Sequence, residues 1–189
     1  MPRQVDREER RRVIAAAVLR VVATRGVEAA SLRAVAAEAG VSMGAVQHYF
    51  TARDEMLRFA LTHGNTLLAE RATRLTAEHK SASPREQFRL LCVLLLPLDE
   101  DSRTAARLWA GLISRACIDE PTRELAAMAY TNLTDFVVRQ LSDAVPDKDA
   151  TAARHLVSVI EGLRWPVLFG VYTEQQAMGI VDTQLDLIF

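Results

Sequence analysis

Between residues 31 and 53 the chain collects side chains suited to touching a nucleic acid duplex: Ser31, Arg33, Ser42, Met43, Gly44, Ala45, Gln47, His48, Tyr49 and Arg53. A glutamine amide offers a donor and an acceptor side by side, which matches the exposed edge of adenine in the major groove. Hydroxyls and guanidinium groups bond phosphate oxygens, positioning a protein on DNA without reading sequence. A glycine lets a backbone come close to its partner. From Ala39 to Arg53 there is no acidic residue to repel phosphate. His48 is a further contact on this face, and Tyr49 and Phe50 are aromatic residues that a helical core also uses.

Such a surface needs elements to present it, and the sequence supplies them as helices. Val13, Ile14, Ala17, Val18, Val21 and Val22 recur at three- and four-residue spacing, which predicts a first helix over about residues 6–25 with one buried stripe, ended by Gly26. Ser31 is placed to cap a short helix over 32–39, Gly40 to stop it, and Ser42 to cap the next over 43–49. Two short helices around a three-residue turn are the parts of a helix-turn-helix, the second helix facing the major groove. With Val46 and Phe50 inward at i and i+4, Met43, Gly44, Gln47 and His48 point outward. Thr51 with Asp54 resembles a capping box opening a long helix over 52–79, and Ser83-Pro84-Arg85-Glu86 a second box. Arg53 stands in the first turn of the long helix, where its charge opposes the helix dipole and a phosphate would compensate it. Breaks at 97–101, 119–121, 146–149 and 170–173 separate further helices over 84–96, 102–118, 122–143, 150–170 and 174–188. Gly162 and Pro166 predict a bend or break in the helix that contains them.

The stretch from Ser31 to Leu57, SLRAVAAEAGVSMGAVQHYFTARDEML, resembles the DNA-binding signature of TetR-family repressors, and the order of helices around it fits. Gln47 stands where that family often has Tyr, His48-Tyr49 reverses a common order, Arg53 replaces the usual Lys and Ala30 a frequent Thr. Of these, Gln47 and His48 sit where bases are read, so the resemblance does not carry an operator sequence over to this chain. The resemblance implies an all-α fold of about nine helices: a three-helix DNA-binding domain at 1–51, then a larger helical domain at 52–189 that binds an effector and dimerises through its last two helices. It also implies a repressor released from a palindromic DNA operator by a small, largely apolar effector. A ligand-responsive DNA-binding regulator is therefore expected; a helical protein-protein adaptor without DNA binding is the alternative.

In the body, Asn65, Phe88, Leu91, Cys92, Trp109, Ile113, Met128, Asn132, Phe136, Trp165 and Phe169 are candidate walls of an apolar effector cavity, although such residues also build ordinary cores. Leu156, Val159, Ile160, Leu163, Val167, Ile180, Val181 and Leu185 form apolar stripes expected to meet a second copy of the chain.

Composition narrows the classes further. The 189 residues carry a net charge of −1, but residues 1–60 hold ten arginines against seven acids and the remainder thirteen basic residues against seventeen acidic ones. The basic part is the part with the duplex-facing chemistry. Cys92 and Cys117 have no CxxC partner, and His48, His63, His79 and His155 show no ligand spacing, so no metal or other cofactor is expected. No HExxH, phosphate-binding glycine loop or GxSxG is present, and catalysis is not expected. No apolar run reaches the ~18–20 residues of a membrane helix. A cytoplasmic protein without a membrane partner is expected.

Overall fold

The computed structural model describes residues 2–146 and 150–189, with side chains from residue 7 onward. The described residues form nine α-helices and no strand: α1 (Pro2–Arg25), α2 (Leu32–Ala39), α3 (Met43–Tyr49), α4 (Arg53–Glu78), α5 (Pro84–Leu95), α6 (Glu100–Ala116), α7 (Glu120–Ala144), α8 (Ala150–Leu168) and α9 (Glu174–Asp186), with a 3-10 turn over Val27–Ala29. Of the break expected at 146–149, residues 147–149 lie outside the described residues.

Packing divides the chain into two compact units that do not part at residue 51. One takes in Met1–Leu68 and Arg103–Leu125, the other Ala69–Ser102 and Ala126–Phe189. Each thus includes part of α4 and part of α7.

In the first unit, Ile14, Ala17, Val18, Val21 and Val22 of α1 are buried as their spacing predicts, together with Val35, Ala36, Val46, Phe50, Met56, Leu57, Ala60 and Leu61. Val13 instead lies at the edge of the stripe and is exposed. Leu108 and Leu112 of α6 complete this core, and Trp109 packs against it. Small residues at the α1–α2–α3 contacts let short helices approach closely, so two helices of eight and seven residues, too short to be stable alone, are held by burial.

In the second unit, α5, α7, α8 and α9 bury Phe88, Leu91, Cys92, Leu95, Val137, Leu141, Leu156, Val157, Ile160, Leu163, Val181 and Leu185. The α5–α9 contact is reinforced by charge: Arg85 donates to Asp186 at 2.6 and 2.8 Å, and Arg89 to Asp182 at 2.9 Å. Burial pushes the Cys92 thiol up to about 12, with the nearby Asp182 carboxylate adding to the rise, so it stays a neutral core residue. Of the bend or break expected near Gly162 and Pro166, the break is not seen: α8 runs through both to Leu168. The proline sits in the last turn, and the helix ends just beyond it: Gly170 (φ 73°) takes the left-handed conformation, its N–H donating to Val167 O at 3.0 Å and that of Val171 to Pro166 O at 2.8 Å. One missing hydrogen bond near a capped terminus costs less than one in mid-helix.

Candidate nucleic-acid interface

The recognition element is built by local hydrogen bonds that the sequence announces. Ser31 Oγ accepts from Ala34 N–H at 3.2 Å and Ser42 Oγ from Ala45 N–H at 3.1 Å, capping α2 and α3. Gly40 (φ 67°) reverses the chain between them, with Gly40 N–H donating to Ala37 O and Val41 N–H to Ala36 O. Arg20 of α1 holds α2 from outside, its Nε 2.8 Å from the Glu38 carboxylate.

On α3 the two faces separate sharply. Val46 is completely buried, as is Phe50 at its C-terminal end, whereas Met43, Gly44, Gln47 and His48 are exposed. Ser31, Arg33 and Ser42 are also exposed; Ala45 and Tyr49 are half-buried. Tyr49 packs against the head core while its ring meets that of His48 edge to face at 5.0 Å. The capping serines each use an oxygen lone pair inside the protein and keep their proton to donate outward. Gly44 has no internal reason to be glycine: a Cβ there would meet only Ser42 Oγ at 3.9 Å, an ordinary contact, and the backbone has no positive φ.

Two residues at the start of α4 act differently from their sequence reading. The partner of Thr51 is Glu55, not Asp54: the Glu55 carboxylate accepts both the Thr51 N–H and its hydroxyl at 2.9 Å, and the backbone hydrogen bond holds its carboxyl below the usual range, with Arg11 and Arg58 assisting. Asp54 pairs instead with Arg115 of α6 at 2.6 Å. Arg53 turns inward, donating Nη2 to Val27 O at 2.7 Å and Nε to Ala30 O at 3.1 Å. Arg11, not singled out from sequence, lies over the rings of Phe59 (4.2 Å) and Phe50 (4.9 Å). The middle residue of the run Arg10-Arg11-Arg12 gives no sign of such a role in sequence.

The residues expected to line an effector cavity are distributed over both units. Asn65, Trp109 and Ile113 belong to the first unit, Trp109 against its core and Ile113 exposed. In the second, Met128, Asn132 and Phe169 are exposed, Phe136 is half-buried, Trp165 stacks on Phe169 at 6.4 Å, and Cys92 is core. Phe88 and Leu91 do line an open recess of about 220 Å³, with Thr76, Gln87, Gln140 and Asp143 as its polar groups. Amides at the polar edge of a helical stripe do not reveal a recess in sequence.

The residues expected at a dimer interface differ in their burial. Leu156, Ile160, Leu163, Val167, Val181 and Leu185 are buried within the protomer, Val159 is half-buried, and of that set Ile180 alone is exposed. The apolar residues left outward near α8 and α9 are Phe169, Val171, Tyr172, Ile180, Leu187 and Phe189. No helix among the described residues is long and apolar enough to cross a membrane.

Comparison with known proteins agrees with this geometry. Residues 14–59 match the model for bacterial regulatory proteins of the tetR family, and residues 84–189 that for the C-terminal domain of BetI-type transcriptional repressors. The transcriptional regulator PksA of Bacillus subtilis is 36% identical over 173 residues, covering 86% of this chain and 80% of the relative. A transcriptional regulator from Rhodococcus sp. Rha1 superposes with a TM-score of 0.81 at 29% identity, over 94% of this chain and 95% of the other. A regulator from Saccharomonospora viridis, solved in complex with choline, gives 0.76 at 25% identity, over 95% and 94%. With its exposed α3 face, its capped turn and these matches at both ends, the chain belongs to the TetR family of transcriptional regulators, with a C-terminal domain of the BetI type.

Proposed function

We propose that this regulator is a repressor that binds a palindromic operator as a homodimer and leaves it when a small organic effector binds. The observation that carries the DNA reading is the outward face of α3, where a glycine that no internal contact requires lies beside exposed Met43, Gln47 and His48. Gln47 bonds an adenine edge, Met43 packs on a thymine methyl, and Gly44 and Ala45 let the helix lie deep in the groove. Ser31, Arg33, Ser42 and Tyr49 bond phosphates, with His48 at the groove edge. The second copy meets the apolar surface of Phe169, Tyr172, Ile180 and Leu187, where Gly162 and Gly179 are open to close approach. Two heads then land on half-sites one helical turn, ~34–36 Å, or a multiple apart.

The effector site is the recess of Phe88, Leu91, Gln87, Gln140 and Asp143. An aromatic wall and a carboxylate suit a small organic cation, a class to which the choline of the Saccharomonospora viridis relative belongs. Release requires that the effector bind the DNA-incompatible shape more tightly, since equal affinity for both shapes shifts nothing.

The test is a titration of the full chain against its own promoter DNA by fluorescence anisotropy across a salt series, with and without choline. The reading requires tight binding that weakens steeply with salt and is lost on adding effector. Absence of duplex binding at low salt would overturn it in favour of a helical adaptor.

A further inference from the structure

The 3-10 turn Val27–Ala29, which leads directly into α2, is gripped through two different groups. From α4, the forked guanidinium of Arg53 holds the carbonyls of Val27 (2.7 Å) and Ala30 (3.1 Å), and lies 3.5 Å from the Glu28 carboxylate. From α6, Gly111 lies so close to Val27 that a Cβ added there would stand 2.6, 2.8 and 3.0 Å from Val27 Cγ1, Cγ2 and Cβ. Contacts that short require something to move. Gly111 therefore differs from Gly44: a near neighbour inside the same unit demands its missing side chain.

We infer that Arg53 and Gly111 are positioning residues that set the orientation of the recognition helix through this turn, Arg53 acting on the protein's own carbonyls and not on a DNA phosphate. The inference rests on the DNA-binding reading of α3. Ala30, completely buried, precedes the Ser31 cap of α2, and α2 is locked to α3 by the Gly40 turn and the burial of Val35 with Val46. A displacement at Ala30 is thus carried into α3. The charge of Arg53 at the positive end of α4 is compensated by two carbonyl dipoles and Glu28, which removes the reason to seek a phosphate. Only a planar fork reaches both carbonyls; an ammonium group on a flexible stem serves one.

The experiment measures binding of promoter and random duplex by the full-length dimer across a salt series, with thermal unfolding as the check on folding, for Arg53→Gln, Arg53→Lys, Gly111→Ala and the pair Val27→Ala/Gly111→Ala. Because a buried carbonyl loses its donor, Arg53→Gln is expected to lose about tenfold in operator affinity. The slope of log K against log salt should stay unchanged, and Arg53→Lys should recover part of the loss. Gly111→Ala should lose operator affinity with the same slope, and adding Val27→Ala, which removes the two closest methyls, should restore most of it. A slope that falls by about 0.9 per head in Arg53→Gln, with equal loss on random duplex, would make Arg53 a phosphate contact and overturn the inference. Failure of the Val27→Ala/Gly111→Ala pair to recover would overturn the role of Gly111, and that arm is decisive even if Arg53→Gln does not fold. Wild-type protein that binds no duplex would instead overturn the DNA reading itself.

Discussion

Two exposed surfaces of this regulator differ in their chemistry. On α3, Gly44, Gln47 and His48 offer small and hydrogen-bonding groups, with a single large apolar side chain, Met43, among them. Near α8 and α9, Phe169 (71% exposed), Leu187 (68%) and Ile180 (41%) offer apolar area and almost no polar function. Water tolerates the first surface and disfavours the second. Helical period alone does not distinguish them, because both are outward faces; side-chain chemistry does, with hydrogen-bonding groups on one and apolar area on the other.

The contrast can be broken most forcefully at the apolar surface. Ile180→Glu with Leu187→Glu should give a monomer in sedimentation and, by removing the second head, reduce operator affinity roughly 10²- to 10⁴-fold. A dimer that persists would move the interface elsewhere. Leu163→Ala, on the inward face of α8, should destabilise the fold by about 2–5 kcal/mol in denaturant unfolding while leaving the folded protein dimeric. A monomer from that change would return Leu163 to the interface.

At the polar surface, Gln47→Ala should leave unfolding unchanged and relax preference at one base pair by ~1–3 kcal/mol, measured against a panel of operator variants. Equal loss on every sequence would make Gln47 a backbone contact. Gly44→Ala sharpens the point, since the internal space is open: it should stabilise the fold by roughly 0.5–1 kcal/mol through helix propensity and yet weaken operator binding. Gain in both would remove DNA as the reason for this glycine.

The smallest effect is a pH dependence at the start of α4. Glu55 has a lowered pKa because it accepts from the Thr51 N–H and hydroxyl, so its contribution to stability is present above the ordinary glutamate value, about 4.3, and disappears as pH falls through the lowered folded value. The stability gap between wild type and Glu55→Gln should therefore be larger at neutral pH than in acid. A gap independent of pH would mean that the carboxylate charge is not what matters.

The head could be read almost entirely from sequence. Ser31, Gly40 and Ser42 act within a few residues of themselves, capping or turning the chain by hydrogen bonds that need no distant partner. The inward positions of Val46 and Phe50 follow from spacing on one short helix. The roles of Arg53, Glu55 and Arg11 were not legible in the same way. Arg53 reaches carbonyls 23 and 26 residues away, and Arg11 reaches rings on later helices. The α8–α9 stripes were legible as stripes, but their partner was not.

By itself the sequence determined the all-helical architecture, the capped pair of short helices and the chemistry of the outward face of α3, because each depends on periodicity or on contacts within one turn. Tertiary structure alone decided that Leu156, Ile160, Leu163, Val181 and Leu185 are core, that Phe169, Ile180 and Leu187 are left outside, and that Gly111 must be small because Val27 lies against it. A helical pattern fixes which residues share a face. What that face meets is fixed by elements as distant in sequence as Arg85 and Asp186.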